Sequence, residues 1–192
     1  LLASLRGIPG VKNVFVASGL RFDMILQDRK GGLNYLRDLV RHHVSGQMKI
    51  APEHTEEDVL AIMGKPGGTE SLATFRKLFR NMTKEAGKEQ YLTYYLMVAH
   101  PGCREDHMAR LGDFTRDELH IRPEQVQVFI PAPGTWSSVM YHTEMNPFTG
   151  ETLFVEKTTA GKNRQKEMLT GSTSSPQPSR RKPSRRLKQH RR

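Results

Sequence analysis

Polar side chains that can bind a ligand or move a proton follow several short extended segments of the chain. Arg21 and Lys49 carry cations that can hold a carboxylate. Glu53 can accept a hydrogen bond from a hydroxyl or an amine, and His54 or His100 can carry a proton. In parallel α/β proteins ligands bind beyond the carboxyl ends of the strands, so we predict that these residues gather at such an edge.

Each of these residues also has a structural interpretation. Glu53 and Thr55 fit an ordinary turn between a strand and a helix. Thr55 would cap the helix, and the Glu53 carboxylate would be favoured near the positive end of the helix dipole. His100 precedes Pro-Gly and indicates a turn, and Cys103 is better read as an inert thiol than as a nucleophile. The sequence has no Walker loop, dinucleotide fingerprint, HExxH or GxSxG motif.

Extended and helical patterns alternate before these residues and after them. The predicted strands are Val11–Ala17, Gln47–Ala51, Tyr91–Ala99 and Gln125–Ile130. The predicted helices follow Gly31-Gly32, a capping box at Thr55–Asp58, Thr69, and Glu105. Alternation with short connections predicts an α/β fold with a parallel sheet and right-handed crossovers, either half of a barrel or part of an open sheet.

Composition limits the class of protein. The 192 residues include one Cys, which excludes an internal disulfide, and 36% are hydrophobic, too dispersed for a membrane span. We therefore expect a cytoplasmic protein that does not enter a membrane. The first residue is Leu and no signal peptide is recognisable, so we expect the chain to come from inside a longer protein.

The positive charge is concentrated at the carboxyl terminus. The sequence has 30 Lys and Arg against 20 Asp and Glu, and residues 172–192 contain basic residues and no acidic one. A Ser- and Pro-rich run opens this segment, so we predict a disordered basic tail. It is either a solvated tail without a dedicated partner or a non-specific contact to nucleic acid.

Several segments together resemble the YgiQ-type family of radical S-adenosylmethionine (SAM) proteins. The resemblance lies in these runs: Val14-Phe-Val-Ala-Ser-Gly-Leu-Arg-Phe-Asp23, Lys49-Ile-Ala-Pro-Glu-His54, Leu96-Met-Val-Ala-His-Pro-Gly-Cys103, Gln127-Val-Phe-Ile-Pro-Ala-Pro-Gly-Thr135 and Asn146-Pro-Phe-Thr-Gly-Glu151. It extends over about Val11 to Gly171 and implies a four-iron–four-sulfur cluster and SAM at the mouth of a partial βα barrel. Reductive cleavage of SAM would give a 5′-deoxyadenosyl radical, with a flavodoxin or ferredoxin as reductant.

The resemblance also implies positions for the SAM-binding residues. Ser18 and Arg21 would line the methionyl or ribose region. Lys49, Glu53 and His54 would face the ribose or the substrate. The adenine would pack on Val98 and Ala99 and form hydrogen bonds with the backbone of Phe129, Ile130 and Pro131. Ala99 departs from the family, since many relatives have Gly there.

The cluster-binding CxxxCxxC loop of that family is absent from this chain, and the family places it at the first barrel strand, upstream of Leu1. We therefore predict the carboxyl-terminal half of a partial (βα) barrel of radical SAM type in residues 1–135, inactive by itself. A small irregular extension would occupy residues 136–171, either gating the barrel mouth or covering its edge, and the tail residues 172–192. The substrate and the catalytic residues are not readable, and no metal ligand is assigned within the chain.

Two other functions compete with this prediction. One is a nucleic-acid-binding module that acts through the basic tail, with Tyr91, Tyr94, Tyr95 and Phe129 as stacking groups, although core packing is the better reading of these aromatics. The other is a cluster-free acid–base barrel enzyme that uses Glu53 and His54.

Overall fold

A computed structural model describes residues 1–123 and 126–171, so the prediction of a disordered tail at 172–192 lies outside the described residues. The elements along the chain are α1 (Leu2–Arg6), α2 (Phe22–Gln27), α3 (Gly32–Asp38) with a π-helical turn (Leu39–His43), β1 (Gln47–Glu53), α4 (Glu57–Ile62), α5 (Thr69–Glu85), β2 (Tyr91–Val98), α6 (Glu105–Asp117), β3 (Gln127–Val128), α7 (Trp136–Thr143) and α8 (Thr159–Thr170). The α/β alternation predicted from sequence is confirmed.

The sheet is small, parallel and open. Its order is β1-β2-β3, and β1 pairs with β2 from Gln47 opposite Tyr91 to an irregularity just before Glu53. β3 adds two residues beside the end of β2. The described residues therefore form a three-stranded parallel sheet, and it does not close into a barrel.

The predicted strand at Val11–Ala17 is wrong, because that segment is extended without forming a ladder. Its backbone meets its neighbours at two places: the Val16 amide donates to the His43 carbonyl, and Leu20 forms an isolated parallel bridge with Ile50. Two such contacts hold the segment beside β1 without the regular pairing that defines a strand.

The helices pack on one face of the sheet. Met48 and Ile50 of β1 point into a core with Leu72, Phe75 and Phe79, because α5 repeats its large apolar residues every three or four positions. Leu96 and Val98 of β2 belong to a second core with residues of α4, α6 and α8.

The opposite face of the sheet is polar and open. Lys49 and Tyr95 on this face are exposed, while Thr93, Met97 and Gln127 are half-buried. The Tyr95 hydroxyl donates to the Gln127 side chain at 3.3 Å, which ties β2 to β3 on this side. Side chains alternate between the two faces of a strand, so this face is the one that the helices leave uncovered.

The segment after Thr135 is helical, and the prediction of an irregular extension is wrong. The Thr135 side chain caps α7 by accepting the Ser138 amide, and the Thr158 side chain caps α8 by accepting the Gly161 amide. Between α7 and α8, Met145 and Thr152 form a single antiparallel bridge. α8 packs against α6 and thereby joins the extension to the sheet.

The capping box predicted at Thr55–Asp58 is wrong in detail. α4 begins after Glu56, which makes no side-chain cap, and the Thr55 hydroxyl is buried. Gly64 follows α4 with a φ of 65°, the left-handed conformation expected of a helix-ending glycine. Among the described residues, no helix combines the length and the apolar character needed to cross a membrane.

Candidate functional site

A cavity of about 190 Å³ lies at the carboxyl edge of the sheet, where β1, β2 and β3 end. Its walls combine apolar side chains with a few polar groups: Glu53, Met63, Lys65, Met97, His100, Phe129, Ile130, Ala132, Thr135 and Ser137. A concave, mostly apolar site with a small number of polar groups is the usual form of a small-molecule site. A ligand site at the carboxyl edge of the sheet was also predicted from the sequence.

Glu53 is the acidic group of this cavity. One carboxylate oxygen, Oε1, accepts the Lys65 ammonium at 2.8 Å, and both side chains are largely buried. The other oxygen, Oε2, is buried and has no hydrogen-bond partner in the part of the chain that the structure describes. An unpaired buried acceptor costs free energy unless a ligand or water supplies a donor, so this oxygen marks the point where a hydroxyl or amine of a ligand would bind.

The backbone turns sharply at the ends of β1 and β2. Glu53 has a φ of 63° and Ala99 a φ of 59°, both in the left-handed region that costs a non-glycine residue about 1–2 kcal/mol. Such strained residues concentrate at functional sites, and here they occupy equivalent places on two neighbouring strands. Glycine adopts this conformation without strain, so the alanine side chain of Ala99 makes it costly there.

His54 does not reach the cavity as a proton carrier. The ring is buried, its Nδ1 accepts the Glu56 amide at 3.1 Å, and its Nε2 lies 3.6 Å from Cys103 Sγ. Burial lowers the pKa of His54 to about 3 and raises the pKa of Cys103 to about 12. Nδ1 is an acceptor, so the proton of the neutral ring is on Nε2 and points to sulfur. The pair is neutral, which supports the prediction of an inert Cys103.

His100 lines the cavity, but both ring nitrogens are engaged. Nδ1 lies 2.9 Å from the Pro101 carbonyl and therefore donates, while Nε2 accepts from the Ser137 hydroxyl at 2.8 Å. Burial lowers the pKa of His100 to about 4. The ring is a neutral wall of the cavity that stacks edge-on against Phe129, with the ring centroids 5.0 Å apart.

The residues predicted for the methionyl side lie outside the cavity lining. Ser18 is exposed, and so is Lys49, which was predicted to face the ribose or the substrate. A Cβ added at Gly19 would lie 3.7 Å from Ala51 Cβ and 3.9 Å from Lys49 Cγ, so the chain passes close to the end of β1 there. The Arg21 guanidinium is paired with Asp23, with Nη2 2.5 Å from Oδ2. This hydrogen bond raises the pKa of Arg21; burial alone would raise the pKa of Asp23, but the ion pair brings it below its usual value.

The residues predicted for the adenine are divided between two environments. Val98 and Ala99 are completely buried in the helix-side core, away from the cavity. Phe129 and Ile130 line the cavity, and Pro131 lies between lining residues. The Phe129 amide already donates to the Val98 carbonyl at 2.9 Å, so it is not available to a ligand.

Three residues of this region escaped the sequence analysis. Lys65 forms an ion pair with Glu53, and Ser137 donates a hydrogen bond to His100. Gln165 forms hydrogen bonds with the backbone just after β2. Gln165 Oε1 accepts the Ala99 amide at 2.8 Å, and Nε2 donates to the Cys103 carbonyl at 3.3 Å. A lone Lys in a Gly- and Pro-rich loop and a Gln in a polar helix carry no pattern that distinguishes them from surface residues.

No three His, Cys, Asp or Glu side chains converge as metal ligands in residues 1–123 and 126–171. Cys103 is buried and is the single Cys of the chain. A cluster held by three thiolates therefore does not fit the residues present, whereas the free oxygen of Glu53 and the apolar walls around it fit a ligand that has hydroxyls and an aromatic base.

Comparison with known proteins gives relatives without an assigned activity. Residues 124–170 match a domain of unknown function, DUF3362. The chain is 50% identical over 170 residues to a UPF0313 protein of Fusobacterium nucleatum, covering 88% of this chain and 30% of that protein. It is 43% identical over 169 residues to UPF0313 proteins of Clostridium perfringens and Thermotoga neapolitana, of which it covers 25% and 29%. The chain thus spans less than a third of the length of these relatives. No solved structure matches it.

Proposed function

We propose that this chain is the SAM-binding, carboxyl-terminal portion of a radical SAM enzyme of the YgiQ type. Its relatives are UPF0313 proteins, which is the YgiQ-type family that the sequence motifs resemble. The single observation that carries the proposal is that Glu53, which lines the cavity at the carboxyl edge of the sheet, has one carboxylate oxygen, Oε2, without a hydrogen-bond partner among the described residues. The cluster-binding thiolates would come from a part of the protein outside this chain.

Each residue of the cavity would make a different contact with SAM. Glu53 Oε2 would accept a hydrogen bond from a ribose hydroxyl, while the ion pair of Oε1 with Lys65 holds the carboxylate in position. Phe129 and Ile130 would pack against the adenine. SAM bound beside a reduced cluster would supply radical chemistry to the substrate.

The open face of the sheet supports a partial barrel in the parent protein. The exposed and half-buried side chains on this face, such as Lys49, Thr93 and Met97, lead directly to the cavity, which Met97 also lines. In a barrel this face would be the interior, and substrate would reach the cavity along it. The substrate itself is left open.

The contacts of the His54 and His100 rings argue against the alternative function, a cluster-free acid–base enzyme. It needs a ring with a free nitrogen near Glu53, but His54 faces Cys103 and His100 is held by Pro101 and Ser137. Both rings have a lowered pKa, which makes them weak bases at neutral pH.

The test uses the complete polypeptide encoded by the gene that contains this chain. It is reconstituted anaerobically with iron and sulfide, and 5′-deoxyadenosine is measured after SAM and dithionite are added. A hydrogen bond to a charged group contributes about 1.5–3 kcal/mol, so we expect Glu53→Gln to raise the KM for SAM about tenfold or more with the iron content unchanged.

The matched control is Glu70→Gln, which removes an exposed carboxylate at the start of α5 and should leave KM unchanged. A reconstituted protein that holds no iron and makes no 5′-deoxyadenosine would end the proposal. An unchanged KM in Glu53→Gln would remove Glu53 from the SAM site.

A further inference from the structure

Two basic grooves lie at the amino-terminal edge of the sheet, opposite the cavity described above. The first groove has a volume of about 450 Å³ and runs between the extended segment at Lys12–Phe15 and the loops that precede β1 and β2. The second groove, of about 400 Å³, lies between α5 and the start of β2. Gln90 lines both, so the two grooves adjoin.

Seven Lys and Arg side chains line the grooves. They are Arg6, Lys12, Arg41 and Lys88 in the first groove and Arg76, Lys77 and Arg80 in the second. Glu89 is the one carboxylate among the described lining residues. Asp38 lies nearby, 3.9 Å from Arg6 and 4.0 Å from His42. The lining is therefore strongly positive, although residues 1–171 as a whole are nearly balanced in charge.

Some of these cations are held in place by the backbone. The Lys88 ammonium donates to the carbonyls of Val40 and Arg41, at 3.3 and 2.5 Å, and the Arg76 guanidinium donates to the Glu118 carbonyl at 2.8 Å. Lys12, Arg41, Lys77 and Arg80 are exposed. The fixed cations maintain the positive potential, and the exposed side chains can contact an anion in solution.

Each groove also has a solvent-accessible aromatic ring. Phe15 in the first groove is 50% exposed, and Tyr91 in the second is 64% exposed. The exposed parts of these two rings leave faces on which a planar base can stack. Cations that follow a backbone and aromatics on which bases stack are the two components of a single-stranded nucleic-acid site.

We propose that the two grooves form one binding site for single-stranded nucleic acid. The backbone phosphates would lie along Lys12, Arg41, Lys77 and Arg80, and bases would stack on Phe15 and Tyr91. The proposal is independent of the SAM site, because it rests on the opposite edge of the sheet. It is also distinct from any contact made by residues 172–192.

The experiment measures binding of a fluorescent uridine decamer to the 192-residue chain as a function of salt. The test variant is Lys12→Gln/Arg41→Gln/Lys77→Gln/Arg80→Gln. Loss of four phosphate contacts should raise Kd tenfold or more and reduce the slope of log K against log salt by about 3, at about 0.7 per contact for single strands. The matched control, Arg29→Gln/Lys30→Gln, removes exposed charges outside both grooves and should bind like the parent.

Two further measurements distinguish binding in the grooves from binding by the basic tail. The tail, residues 172–192, is the same in every variant. A decamer with 4-thiouridine should crosslink to the peptides that contain Phe15 and Tyr91. Phe15→Ala/Tyr91→Ala should raise Kd about fivefold or more, since stacking on an aromatic contributes to the affinity for each base. Circular dichroism checks that the variants fold.

Three results would overturn the proposal. Crosslinks confined to residues 172–192, with an unchanged salt slope in the test variant, would assign the binding to the tail. Binding of uridine monophosphate as tight as that of the decamer would indicate a free-nucleotide site. Equal binding of polyglutamate, lost in the same variant, would indicate an acidic protein partner.

Discussion

Gln165 allows the sharpest test of how the carboxyl-terminal helices support the candidate site. The side chain is completely buried, accepts the Ala99 amide and donates to the Cys103 carbonyl. Gln165→Leu would leave both backbone groups buried without a partner. Each such group costs about 1–3 kcal/mol, so the loss is about 2–6 kcal/mol.

The leucine offsets part of this loss, since a buried apolar side chain contributes about 1.5–3 kcal/mol. We expect the free energy of unfolding to fall by about 2 kcal/mol, the difference between the middles of the two ranges. Urea unfolding followed by circular dichroism measures it, and Lys166→Leu, at the exposed next position of α8, is the control that should stay within about 0.5 kcal/mol of the parent.

Amide hydrogen exchange gives the same prediction site by site. The Ala99 amide should lose protection in Gln165→Leu by more than the global loss of stability, because its acceptor is gone. A decrease in stability below about 1 kcal/mol, with Ala99 still protected, would refute the reasoning that α8 holds the end of β2 through this amide.

Three more predictions follow from the core. Because burial lowers the pKa of His54 to about 3 and of His100 to about 4, the unfolded chain, with histidine pKa values near 6.5, binds more protons below that pH. The free energy of unfolding should thus fall as pH drops from 6.5, by about 4 kcal/mol at pH 5, and a flat urea-unfolding profile would contradict this. Gly32→Ala should destabilise by about 3 kcal/mol in the same assay, since its Cβ would lie 1.9 Å from the Ile25 carbonyl oxygen, whereas Gly46→Ala should be neutral. Cys103, with a pKa near 12, should react with iodoacetamide only in urea, and native labelling at the rate of a free thiol would disprove its burial.

The sequence predicted the elements whose apolar spacing is regular. α5 begins at Thr69 as expected, β2 differs from the prediction by one residue, and the start of α6 at Glu105 is confirmed. α8 could not be found in this way. Its buried positions are Gly161, Gln165 and Leu169, four residues apart as a helix requires, but two of the three are not large apolar residues. Periodicity detects a helix only when its buried face is hydrophobic.

The location of the candidate site was predicted more accurately than the directions of its side chains. The carboxyl edge of the sheet, Glu53, Phe129 and Ile130 were identified, and the cavity lies there. The direction of His54 was not predictable, because it depends on the left-handed φ of Glu53, and no sequence rule assigns that conformation to a glutamate. The assignment of Val98 to the adenine also did not anticipate that this residue faces the helices.

The left-handed backbone conformations of Glu53 and Ala99 determine where the next side chains, His54 and His100, lie at this edge of the sheet. Glu53 lines the cavity, and after its left-handed turn the ring of His54 lies against Cys103. After the left-handed turn at Ala99, the ring of His100 contacts Ser137, and the Ala99 amide donates to Gln165. Ala99 therefore keeps its strained conformation within the helix-side core. Under the proposed function this edge would bind SAM, and the chemistry would come from the bound cofactor rather than from His54 or His100.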